Sequence, residues 1–119
     1  MKLIIAYIRP ERLTAVKQEL YAREIYSMTV TNVLGSGRQK GFTETYRGVV
    51  TEVNLLKKVR LEIGVNDDFL EAGLEAIKAG AATGKEGDGV VFVLEIARSL
   101  RVRTGETDID AVRVTRTTP

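Results

Sequence analysis

The stretch Lys58-Val59-Arg60-Leu61-Glu62-Ile63-Gly64-Val65 places Val59, Leu61, Ile63 and Val65 at alternate positions, with Lys58, Arg60 and Glu62 between them. A strict period of two is the signature of a strand buried on one face only. Such a strand needs partners on both edges and cover over its apolar face. The chain supplies the partners. Leu3 to Ile8 is an apolar run of strand length, stopped by Arg9-Pro10. Ser27 to Leu34 alternates, with Met28, Val30 and Leu34 on one face and Thr29, Thr31 and Val33 on the other. Val90 to Ile96 is a fourth candidate, and Arg101-Val102-Arg103 reads as a short extended piece.

Two helices provide the cover. Pro10 suits a first helical position, and Leu13, Val16 and Leu20 then recur at helical spacing. After the clear strand, Asn66 is placed to cap a second helix, with Asp67 and Asp68 at its positive end. Leu70, Leu74 and Ile77 form its inward stripe, and the helix is expected to end near Gly80. The order is β-α-β, long loop, β-α-β. Two right-handed crossovers sharing one sheet give an α+β, ferredoxin-like βαββαβ fold with both helices on one face. The other face then lacks cover within the chain, and oligomerisation is the simplest way to bury it. At 119 residues there is room for one such domain.

The loops hold most of the glycine. Seven of the eleven glycines stand at 35, 37, 41 and 48 and at 84, 87 and 89. Arg38, Lys40, Lys85, Arg101 and Arg103 supply cations nearby. Glycines beside cations let backbone amides approach an anion closely, although they serve equally as plain turns. Neither stretch is a standard phosphate motif. Gly80 to Lys85 is one residue short of a P-loop, with Glu86 where Ser or Thr is required, and Gly35 to Gly41 has one residue too many for a dinucleotide fingerprint. The chain has no His and no Cys, which removes triads, thiolate nucleophiles, disulfides and His or Cys metal clusters. A net charge of +2 does not make a nucleic-acid wrapper. The apolar run at the N-terminus is too short for a signal peptide or a membrane span, so a cytoplasmic location is expected.

The segment Gly35-Ser36-Gly37-Arg38-Gln39-Lys40-Gly41, continuing through Thr43-Glu44-Thr45-Tyr46-Arg47-Gly48, resembles the T-loop of the PII nitrogen-regulatory signal proteins. Thr83-Gly84-Lys85-Glu86-Gly87-Asp88-Gly89 resembles their B-loop, and Arg101-Val102-Arg103-Thr104-Gly105-Glu106 their C-loop. The resemblance spans residues 1–107, with the T-loop at about 36–54, the B-loop at 82–90 and the C-loop at 101–106; residues 108–119 read as a polar tail. It implies a homotrimer with nucleotide clefts between neighbours, competitive binding of ATP and ADP, and sensing of 2-oxoglutarate with ATP and Mg²⁺. Its output is binding to a target protein rather than catalysis. On this resemblance Gly35, Gly37, Arg38, Gly87, Asp88, Gly89 and the adjoining Val90 border the phosphates. Arg101 and Arg103 reach the nucleotide across the subunit boundary, and Thr29 and Gly64 lie near the base. Gln39 supplies its oxygen to the metal. Lys58 pairs with a carboxylate of 2-oxoglutarate, and Arg9, Gln39, Lys40 and Gly41 complete that pocket.

Departures from the family pattern narrow the expectation. Thr51 stands where uridylylated members carry tyrosine, and Val49 where phosphorylated members carry serine, so neither modification is expected. Val90 replaces the cation that normally ends the B-loop. Tyr46, Arg47, Gly48, Val49 and Val50 form the expected target-binding tip. Arg47 matches the residue that blocks the cytoplasmic exit of ammonium transporters, which makes such a transporter the foremost target and the inner face of the membrane a place of peripheral attachment. The alternatives are a paralogue acting on nitrogenase, glutamine synthetase or bicarbonate uptake, or a slow nucleotide hydrolase. An RNA-binding domain of similar fold is disfavoured because the seven aromatics lack the base-stacking pattern.

Overall fold

The computed structural model describes residues 1–36, the backbone pairing of 45–46 and 49–50, and residues 55–113. Strand β1 (Lys2–Ile8) leads through a 3-10 turn at Pro10–Arg12 into helix α1 (Leu13–Ala22). Strand β2 (Thr29–Gly35) follows, then the two-residue strands β3 (Thr45–Tyr46) and β4 (Val49–Val50), which pair with each other. Strand β5 (Leu56–Val65), helix α2 (Leu70–Ala81), strand β6 (Gly89–Glu95) and a short helix α3 (Ile109–Val112) complete the order. The main sheet runs β2-β5-β1-β6, antiparallel throughout. This is the ferredoxin-like arrangement the sequence pattern predicts.

Register sets the two faces. Ile4 lies opposite Ile63 and Val93, and Ala6 opposite Leu61 and Val91. Ile4, Ala6, Ile8, Val59, Leu61, Ile63 and Val65, with Val91 packed at the edge, form a floor on which Val16 and Leu20 of α1 and Ala76, Ile77 and Ala81 of α2 pack. The opposite face carries Leu3, Ile5 and Tyr7 beside Val90, Phe92 and Leu94, and Lys58, Arg60 and Glu62 beyond them. Val90, Phe92 and Leu94 are each about half exposed. Tyr7 meets Phe92 edge-on at 6.4 Å, and the Arg60 guanidinium lies 5.8 Å from the centre of the Tyr7 ring. The face is an apolar stripe with a cationic margin, uncovered by any described element.

The helices cross closely because glycine permits it. Gly80 lies in the last turn of α2, which ends at Ala81, and a Cβ there would sit 2.6 Å from the Val16 Cα. At the end of α1, Glu24 adopts the left-handed conformation (φ 63) and Ile25 N–H returns to Leu20 O at 2.9 Å, which drops Ile25 into the core.

Three local expectations are corrected. Asn66 occupies the start of the second helical segment but makes no side-chain cap; its amide donates to Ile109 O at 3.4 Å, and a 3-10 turn at Asp67–Phe69 opens the helix. Asp67 pairs instead with the Met1 ammonium at 2.9 Å. Arg101-Val102-Arg103 is a turn and not an extended piece. Gly105 at φ 74 lets its N–H reach Arg101 O at 2.8 Å, and Arg101 N–H reaches Glu106 O at 2.8 Å. Beyond residue 107 the chain is not simply polar tail, since Ile109–Val112 is helical and buries Ala111.

Candidate functional site

The first group of expected residues gathers at one end of the sheet, around the loop between α2 and β6. Asp88 organises that loop. Its carboxylate accepts the Thr83 N–H at 2.7 Å, the Thr83 hydroxyl, the Gly84 N–H at 2.9 Å and Arg9 Nε–H at 3.1 Å. Those donors, Thr83 first, hold the Asp88 carboxyl far below the usual carboxylate range. A carboxylate so occupied shapes the loop. Arg9 also donates to Glu86 O at 2.5 Å, and Lys58 Nζ donates to Gly87 O at 2.6 Å. Burial lowers the Lys58 pKa, with the nearby Arg9 charge adding to the shift. Gly84, Gly87 and Gly89 all have positive φ. At Gly89 the constraint is steric as well as conformational, because a Cβ would lie 1.8 Å from Tyr7 O.

Beside this loop a cavity of about 480 Å³ opens on the uncovered sheet face, lined by Tyr7, Gly35, Lys58, Arg60, Val90 and Phe92 among others. It brings Gly35 at the end of β2 next to Lys58 and Val90. Arg9, Gly35, Lys58, Gly87, Asp88, Gly89 and Val90 are therefore one neighbourhood.

The second group lies at the other end of the sheet. Gly64, Arg101 and Arg103 line a cavity of about 710 Å³, together with Tyr26, Val102 and Val112. Thr29 stands opposite Glu62, near that end of β2. Arg101 and Arg103 have no ion pair among the described residues, and Val102 between them is 95% exposed. Lys58 and Gly64 are six positions apart on β5, so the two groups stand about 20 Å from each other. One chain does not bring them together. Gly37, Arg38, Gln39, Lys40, Gly41, Arg47 and Gly48 lie outside the described residues, and Tyr46, Val49 and Val50 are described only as members of the β3-β4 pair. Among the described residues no cluster of three or more acidic side chains could hold a metal ion.

Sequence reasoning missed Thr83 as the Asp88 partner, and it missed Arg98 and Asp108 at the base of the 99–108 loop. A Thr five residues before an Asp across a glycine-rich turn was the available signal for the first. None marked the second.

An α+β sheet with an uncovered face and two cation-bearing loops at opposite ends describes a binding module. Residues 1–106 match the family model for Nitrogen regulatory protein P-II. The chain is 50% identical over 114 residues to nitrogen regulatory protein GlnK1 of Methanosarcina mazei, covering 94% of this chain and 97% of that protein. It is 46% identical over 112 residues to the P-II protein of Rhizobium etli and 48% identical over 112 residues to that of Klebsiella oxytoca, with 94% of this chain and all of each relative covered. The chain belongs to the P-II family of nitrogen regulatory proteins, which are signal transducers. No helix among the described residues is long and apolar enough to cross a membrane.

Proposed function

We propose that this chain works as a homotrimer that binds ATP and ADP in competition, senses 2-oxoglutarate with ATP and Mg²⁺, and signals by docking the 36–54 loop on a target, foremost an ammonium transporter at the cytoplasmic face of the membrane. The separation of the two loop regions carries this reading. About 20 Å is too far for one polyphosphate to touch both within a chain. A closed cyclic arrangement solves this, because it sets the 82–90 loop of one subunit against the 99–108 loop of the next. The same arrangement covers Val90, Phe92 and Leu94 and gives the exposed Val102 a neighbour.

In such a cleft the amides around Gly35, Gly37, Gly87 and Gly89 face the phosphates, with Arg38 beside them, while Arg101 and Arg103 arrive from the adjacent subunit. Asp88 holds the loop in shape, and Val90 leaves the phosphate end with one cation fewer. Thr29 and Gly64 border the base. Gln39 contributes an oxygen to Mg²⁺, and Arg9, Lys40, Gly41 and Lys58 receive the metabolite. Lys58 and Arg9 now hold loop carbonyls at 2.6 and 2.5 Å. An anion that draws them away releases Gly87 and Glu86, so occupancy and loop shape are linked. A typical coupling of about 1–3 kcal/mol would shift target affinity roughly 5- to 150-fold. The output is binding, with no catalytic group assigned.

Sedimentation equilibrium with calorimetry tests the proposal. It requires three times the monomer mass, mutual displacement of ATP and ADP, and 2-oxoglutarate binding only with ATP and Mg²⁺. A stable monomer that binds ATP would overturn it.

A further inference from the structure

The 99–108 loop is closed at its base by a joint that the pattern of cations and glycines did not reveal. Asp108 has φ 55 and ψ −123, a conformation that favours glycine and strains an L-residue. Its surroundings hold it there. The carboxylate receives Arg98 Nε–H across both oxygens at 2.9 and 3.1 Å and the Ser99 N–H at 3.2 Å. Asp108 N–H donates to Ser99 O at 2.8 Å, and the Ser99 hydroxyl donates to Asp108 O at 3.0 Å. That same carbonyl accepts the N–H groups of Ala111 and Val112, so α3 starts at this residue. Leu100 pairs with Thr107 one step further into the loop.

One residue thus joins both walls of the 710 Å³ cavity. On one side is the loop with Arg101 and Arg103, and on the other Ala111, Val112 and Arg113. Neither arginine has an acidic partner to fix it among the described residues, so their direction depends on the loop they ride. We infer that Asp108 is a positioning residue, latched by Arg98, which sets the loop so that Arg101 and Arg103 converge on the anionic part of the occupant. Strain kept at a position that glycine would relieve is spent on that placement. The affinity part of the inference rests on the nucleotide reading above; the loop part does not.

The test uses the full-length protein with ATP as the probe, comparing the parent with Asp108→Gly, Arg98→Ala and Arg98→Lys. Asp108→Gly removes strain and latch together, so its thermal midpoint should stay level or rise. In the ligand-free protein, hydrogen exchange at the Arg101 and Gly105 amides should quicken about tenfold while the amides of β5 stay unchanged. ATP affinity should fall about ten- to a hundredfold, the size of one charge-assisted hydrogen bond. Arg98→Ala should reproduce both effects, and Arg98→Lys should restore part of them. Unchanged exchange at Arg101 and Gly105 in Asp108→Gly refutes the latch whether or not ATP binds. Faster exchange with unchanged ATP affinity refutes the positioning role. A parent that does not bind ATP defeats the nucleotide reading, and the affinity role with it; quickened loop exchange then supports the latch alone.

Discussion

Gly89 should be among the least replaceable residues of the chain, and Gly84 in the same loop provides the control. Both have positive φ, 122 at Gly89 and 82 at Gly84. An alanine at either site adopts an unfavoured backbone conformation at a cost of about 1–3 kcal/mol. Gly84 has open space around it, so strain is the whole cost there. At Gly89 the new Cβ would lie 1.8 Å from Tyr7 O, about 1.6 Å short of ordinary van der Waals contact. That oxygen belongs to the backbone of β1, between β5 and β6 in the sheet, and cannot swing aside as a side chain would. Overpacking of this kind adds about 1–3 kcal/mol. The total for Gly89→Ala is about 2–6 kcal/mol, twice that of Gly84→Ala. In a chain of this length about 1 kcal/mol lowers the midpoint by roughly 4 °C, giving losses of roughly 8–24 °C against 4–12 °C. Thermal unfolding followed by circular dichroism on ligand-free protein measures both. Equal losses for the two variants would refute the steric argument.

Other consequences follow from the same geometry. Because Asp88 has a depressed native pKa, its contribution to the loop is complete above the ordinary carboxylate range of about pH 4 and is lost as pH falls from there through the native value. An NMR titration of the Thr83 and Gly84 amides should therefore show the loop intact at pH 4 and opening in stronger acid; an Asp88 carboxyl titrating at its ordinary value would contradict this. Lys58→Ala should weaken 2-oxoglutarate binding by about 1.5–3 kcal/mol in calorimetry with ATP and Mg²⁺, and unchanged affinity would remove Lys58 from the pocket. Arg47→Ala should abolish block of a reconstituted ammonium transporter while nucleotide affinity holds, and continued block would dismiss Arg47 as the plug.

The main framework was legible because it rests on periodicities that burial enforces. Val59, Leu61, Ile63 and Val65 alternate in sequence and are all buried, and Val16 and Leu20 face the same core. The small residues of α2 were harder to read. Gly73, Ala76, Gly80 and Ala81 are buried because the helices and sheet approach closely, and no hydrophobic stripe announces a close approach. The residue types of Arg101-Val102-Arg103 suit a short extended piece, but Gly105 and the Glu106 carbonyl fold them into a turn. Asn66 is the usual residue for a cap, yet a tertiary acceptor at Ile109 takes its amide. The candidate site was legible as a set of residue types and loops. Its division between two ends of the sheet was not, because sequence spacing alone does not say which strand ends lie together.

That division is the centre of the account, and subunit complementation tests it most directly. Asp88→Ala removes the acceptor of the Thr83, Gly84 and Arg9 donors and so disables the loop region at one end of the sheet, and a double Arg101→Ala, Arg103→Ala variant disables the other. Each variant alone should lose ATP binding while remaining trimeric. After the two are unfolded together and refolded in equal amounts, random assembly in a closed ring places an intact Asp88 end against an intact arginine end at about a quarter of the interfaces. Calorimetry should then recover about a quarter of the parental ATP sites at parental affinity. Recovery of no sites in mixed trimers would contradict a cleft shared between subunits.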